Sequence, residues 1–125
     1  MSKSKLDIKV AEPPTWLLGT WRSDKALTIR RWGRHVPTPE DHREFVESML
    51  GLKTNRYTAK RWYHTYDGHG FVLPCRVVWH DGSSLFLVSG TKGKEAGEHI
   101  FFRSPRSYWV YSGRYIEYFS KEEGT

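Results

Sequence analysis

After Gly51 the chain is divided by evenly spaced turn signals into short strand-like segments, and this rhythm restricts the fold more than any single motif. Segments 54–58 and 60–66 read as one long or broken strand region, closed by the turn Asp67, Gly68, His69 and Gly70. Segment 71–80 follows, with Pro74 marking an edge or a bulge in its middle. Asp81 and Gly82 lead into 84–89, and a glycine-rich loop over 90–97 leads into 98–103. A further turn over 104–107 precedes 108–111 and 114–119, which pair as a tight hairpin about Ser112 and Gly113. With an opening strand over 16–23 this makes about seven or eight strands, the pattern of an antiparallel sandwich or barrel. The side chains agree, since 6 Trp, 7 Tyr and 6 Phe favour strands over helices.

A chain of 125 residues has room for one core. Residues 1–14 are expected to form a flexible tail ending at Pro13 and Pro14, residues 15–120 the folded domain, and residues 121–125 a C-terminal tail. No apolar run approaches the roughly 18 residues that span a bilayer, and the stretch from Met1 to Lys9 lacks the apolar segment of a secretory signal. The expectation is a soluble, cytoplasmic protein without membrane insertion, as a monomer or weak homodimer. Cys75 is the only cysteine, which excludes an internal disulfide and a cysteine-based metal cluster, and it reads as a small buried hydrophobe. The net charge of +6 is scattered along the chain and not gathered in a block.

The opening strand carries Leu17, Leu18, Gly19, Thr20, Trp21 and Arg22. Segment 25–34 is ambiguous, because Leu27, Ile29 and Trp32 fit neither the helical nor the strand period. Beyond it, Thr38 suits a helix N-cap, Pro39 the first helical position and Asp41 a capping carboxylate. Phe45, Val46, Met49 and Leu50 recur at helical spacing before Gly51. One short amphipathic helix over 39–50 is therefore expected between the first and second strands, packing on or plugging the sheet.

Gly19, Thr20 and Trp21 on a first strand, a helical excursion, and then an uninterrupted series of strands resemble a small lipocalin-like protein of the calycin superfamily. Trp21, Arg22, Ser23 and Asp24, with the later Leu50, Gly51, Leu52 and Lys53, look like the pattern of small bacterial members, and the glycine, threonine and tryptophan are similar to those of fatty-acid-binding proteins. The resemblance implies a mainly β, up-and-down antiparallel barrel of about seven or eight strands. It implies that Gly19 and Trp21 are structural residues of the closed barrel base. An arginine of a late strand, Arg114 or Arg103, would then pack across Trp21 by cation–π contact.

Function would lie on the inward rows of side chains. Alternation groups Trp62, His64 and Tyr66 on one face, and Phe71, Leu73, Cys75, Val77 and Trp79 on one face of the next strand. Tyr57, Leu85, Leu87, Tyr108, Val110, Tyr115, Glu117 and Phe119 are further inward candidates. Tyr57, Trp62, His64, Tyr66, Arg76, Trp79, Tyr108 and Tyr115 form the candidate ligand-binding set, with Arg76 or Arg114 answering an anionic group and Trp and Tyr an apolar body. No catalytic constellation is recognisable. The six histidines have no metal-motif spacing, the serines lack nucleophile-elbow glycines, and no phosphate-binding loop occurs. The expectation is a non-enzymatic binding protein for a small hydrophobic, amphipathic or anionic ligand, with no cofactor and no metal. The competing expectations are a single-stranded nucleic-acid-binding barrel, using Arg56, Lys60, Arg61, Trp62, Tyr63 and Arg76, and a barrel with a filled interior acting as an interaction module.

Overall fold

The computed structural model describes residues 12–32, 40–112 and 115–122. Eight strands form a closed antiparallel barrel in simple chain order. They are β1 (Gly19–Ser23), β2 (Lys53–Tyr57), β3 (Arg61–Tyr66), β4 (His69–His80), β5 (Ser84–Ser89), β6 (Ala96–Ser104), β7 (Ser107–Ser112) and β8 (Tyr115–Lys121). The region over 54–66 is thus a hairpin of two strands, turned at 58–60. The first strand is shorter than expected, because Thr15–Leu17 form a single 3-10 turn instead of extended chain. β8 closes the barrel against β1, with Trp21 opposite Lys121 and Ser23 opposite Phe119.

Gly19 has φ 123°, a backbone conformation that side-chain-bearing residues rarely adopt. This lets the chain swing from the 3-10 turn into β1. The β3–β4 turn likewise places Asp67 and Gly68 at positive φ, matching the twist of the two strands it joins.

Pro74 marks neither an edge nor a bulge. The barrel is closed, and the register shift in β4 falls between Val77 and Trp79. Pro74 sits at the corner of two ladders, as the last partner on the β3 side and just outside the first β4–β5 pair, Cys75 with Ser89. There its missing N–H costs no ladder bond.

Two helices stand between β1 and β2. The expected helix is α2 (Glu40–Met49), while Thr38 and Pro39, and the side chain of Asp41, lie outside the described residues. The ambiguous segment forms α1 (Lys25–Trp32). Asp24 starts α1, its Oδ1 accepting from the Leu27 N–H at 3.0 Å while its Oδ2 accepts from the Ser120 hydroxyl at 2.5 Å. The helix docks along the edge of β8 that runs past the end of β1, where the Thr28 hydroxyl accepts from the Tyr118 N–H at 2.9 Å and Leu27 is buried. The apolar stripe of α2 does not pack wholly on the sheet, since Phe45 is exposed.

The barrel core gathers Leu17, Trp21, Tyr57, Val77, Leu85 and Ile100 with Tyr108 and Phe119. Its densest part is the end at which β1 begins. Trp21 is fully buried there, its indole N–H donating to the Leu17 carbonyl at 2.8 Å. Trp16 meets it edge-on, and Tyr108 packs against its other side with ring centres 4.7 Å apart. The cation across Trp21 is Lys121, with Nζ 5.4 Å from the ring centre. Arg103 instead lies over Tyr118 on the outside, and Arg114 falls outside the described residues. Lys121 takes this place because it is the residue of β8 in register with Trp21.

Candidate ligand cavity

The other end of the barrel is hollow. A cavity of about 210 Å³ lies between Lys53, Asn55 and Tyr57 of β2, Trp62 and His64 of β3, and inward residues of β5 to β8. Alternation explains the selection, since odd-numbered residues of β2 and even-numbered residues of β3 face each other across the same ladder. Leu87, Val110 and Phe119 supply its apolar surface, and Glu98, Glu117 and Ser89 its further polar surface.

Asn55 organises the wall. Its Oδ1 accepts from the Trp62 indole N–H at 2.9 Å and lies 2.7 Å from His64 Nδ1, and its Nδ2 donates to the Tyr108 hydroxyl at 3.0 Å. An indole N–H can only donate, so the amide orientation follows from Trp62. His64 must therefore be the donor at Nδ1, which leaves Nε2 with its lone pair. The imidazole pKa is lowered by burial and by the charge of Lys53, so the ring is held neutral. The Tyr57 and Tyr108 hydroxyls meet at 3.2 Å, and burial raises both phenol pKa values further above neutrality.

Glu117 is only 1 % exposed and is fully engaged. Its Oε1 accepts from Lys53 Nζ at 3.1 Å and its Oε2 from the Ser23 hydroxyl at 2.6 Å. Ser23 Oγ in turn accepts from the Gly51 N–H at 3.0 Å, tying the end of the helical excursion to the barrel wall. Glu98 differs. It stands at the solvent-exposed edge of the cavity, and among the described residues its carboxylate has neither a hydrogen bond nor an ion pair. Partial burial raises its pKa, Lys53 lowers it, and the neighbouring Glu117 charge raises it again.

Of the candidate set, Tyr57, Trp62, His64 and Tyr108 come together on this cavity. Tyr66 and Tyr115 continue the same inward rows, half-buried and outside the cavity lining. Arg76 and Trp79 are corrected to the outer wall. Arg76 alternates with the inward Cys75 and Val77, and its guanidinium donates to Glu95 Oε2 at 2.6 Å. Trp79 follows the register shift, which turns it outward and leaves it 47 % exposed. Lys53, Asn55 and Glu98 were not among the expected site residues. Alternation about Tyr57 was the signal that groups Lys53 and Asn55 with it. Cys75 is half-buried, and burial pushes its thiol up to about 11.

The outer wall carries a second aromatic feature. Trp79 and Phe86 are cross-strand partners, His99 stacks on Phe101 at 4.0 Å, and Phe101 stacks on Trp109 at 4.0 Å. Tyr111 meets both Phe101 and Trp109 edge-on. Arg56 lies over Tyr63, and both alternate with the cavity-lining residues of β2 and β3.

Among the described residues no group of three or more His, Cys, Asp or Glu is placed to hold a metal ion. No helix among them is long and apolar enough to cross a membrane. Compared with known proteins, the chain matches no family model, no curated protein and no solved structure.

Proposed function

We propose that this closed eight-stranded barrel is a lipocalin-like binding protein that holds a small hydrophobic or amphipathic molecule without transforming it. The observation that carries the reading is the contrast inside one barrel between a floor packed solid around Trp21 and a cavity whose polar groups are fixed by Asn55. A cavity of about 210 Å³ is smaller than the roughly 300–1,000 Å³ of drug-sized sites, so the ligand is of the size of a single ring or a short chain. The anionic option loses the support of Arg76, which lies outside the barrel and is tied to Glu95, while Arg114 lies outside the described residues. Native mass spectrometry of protein purified from its host is the test. A bound small molecule, displaced when Ser112→Trp fills the cavity, is the expected result, and an empty protein that quenches with no small apolar probe overturns the reading.

A second reading has its own observation. The outward aromatic row over β4 to β7 offers exposed rings on which the bases of single-stranded nucleic acid stack. Of the residues expected to accompany such stacking, Arg56 lies on β2, Trp62 is turned into the cavity, and Arg76, on the outer wall of β4, is engaged by Glu95. Salt-sensitive binding of an oligonucleotide that is lost in Trp109→Ala would favour this reading over the first.

A further inference from the structure

Three charged side chains line the cavity, Lys53, Glu98 and Glu117, giving one positive charge against two negative. Lys53 and Glu117 neutralise each other at 3.1 Å, and the second oxygen of Glu117 is taken by Ser23. Glu98 is left as the unmatched charge. His64 cannot offset it, because its Nδ1 donates to Asn55 and its Nε2 can only accept while the ring is neutral. The free acceptors on the cavity surface are thus the Glu98 carboxylate and His64 Nε2, while Lys53, Ser89 and Ser112 keep donors of their own. On β3, three strands from Glu98 in the barrel order, Trp62 lines the same cavity with its ring centre 5.2 Å from that of His64. A cavity that holds aromatic faces and an unpaired carboxylate favours a cation over an anion.

We infer that the ligand is a small monocationic amine with an apolar ring or short chain, its ammonium held by Glu98 and its body lying against Trp62, Leu87 and Val110. This rests on the cavity being a ligand site. An ammonium supplies only donors, which is what the Glu98 carboxylate lacks. The overall charge of +6 acts from a distance on anions, whereas the choice inside the cavity is made by the groups within contact range.

The test uses three probes of nearly equal size, benzylamine, benzyl alcohol and benzoate, titrated into the full-length protein and followed by tryptophan fluorescence and calorimetry. Benzylamine is expected to bind at least about tenfold more tightly than benzoate, and Glu98→Gln to remove that preference while leaving benzyl alcohol unchanged. Binding of benzylamine should weaken on acidification, as Glu98 is protonated and His64 gains charge, with Lys53, Glu117, Tyr57 and Tyr108 as the other titratable groups facing them. Equal or tighter binding of benzoate or benzyl alcohol overturns the amine assignment and leaves the cavity reading standing. Failure of all three to bind overturns the cavity reading as well. Circular dichroism and the thermal midpoint of Glu98→Gln establish that a lost preference is not lost folding.

Discussion

The two ends of this barrel are built from the same strands and solve opposite problems. At the end where β1 begins, Trp16, Trp21, Tyr108 and Phe119 interlock, and Tyr108 stacks on Phe119 at 4.9 Å with the planes nearly parallel. At the other end the inward positions are Lys53, His64, Ser89, Glu98 and Glu117, side chains that cannot close a core without partners. The difference teaches that an aromatic-rich interior does not by itself mean a filled barrel. Here the rings fill one half, and a hydrogen-bonded wall holds the other open.

The comparison breaks most sharply at Trp21. Trp21→Ala should lower unfolding free energy by about 3–5 kcal/mol in urea titration, whereas Trp62→Phe, at the hollow end, should cost about 1 kcal/mol through its lost bond to Asn55. Comparable losses would mean that the two ends are packed alike. The carboxylates give the next contrast. Glu117→Gln leaves Lys53 without its charged partner and should cost about 1–3 kcal/mol, read from chemical denaturation, while Glu98→Gln should lie within about 0.5 kcal/mol of the parent.

A smaller effect is expected at the boundary between the two halves. Tyr108→Phe removes the hydroxyl that accepts from Asn55 and meets Tyr57, and about 1 kcal/mol of stability should go with it. Ring packing against Trp21 is retained in that variant, so a much larger loss would show that the polar wall, not the floor, holds the barrel together. Last comes the response to pH. His64 has a folded pKa below its ordinary 6.5, so its contribution is present above 6.5 and is lost as the pH falls through the lowered folded value. Glu98 works in the opposite sense, its raised folded pKa favouring the folded state as the carboxylate is protonated. The thermal midpoint should therefore fall first on acidification below 6.5, and a Glu98→Gln variant should fall further at lower pH because the compensating group is gone.

The strands, their order and the helix α2 were readable because turn signals and alternation are local. Strand count left a sandwich and a barrel open, the resemblance implied the barrel, and the β1–β8 register shows it closed. What escaped reading depended on non-local geometry. The register shift between Val77 and Trp79 moves a tryptophan from the inner to the outer wall, and no residue in that stretch announces it. Arg76 was counted toward the interior for its chemistry, against the alternation that places Val77 inside. Lys53 was passed over as a site residue because lysine rarely turns inward, and it does so here because Glu117 waits on β8, two strands away around the closed barrel. Asp24 looked like the end of a strand. It is also the cap of α1, a role visible only once Leu27 is seen to be helical.

Closure through β1 and β8 also sets how this molecule must assemble. Five of the eight ladders join strands linked by short turns, whereas the β1–β8 ladder joins residues about a hundred positions apart, and the Glu122 N–H bonds to the Thr20 carbonyl across the same seam. Hairpins of the local kind form in microseconds, while the seam requires the whole sheet to be curled before its few bonds are gained. The floor around Trp21 lies on that seam, so its burial coincides with the last and slowest step. Folding rate should thus be written at the join between the first and last strands, and the cavity, whose Asn55–Tyr108 and Lys53–Glu117 bonds span the same join, takes its shape only when the barrel is shut.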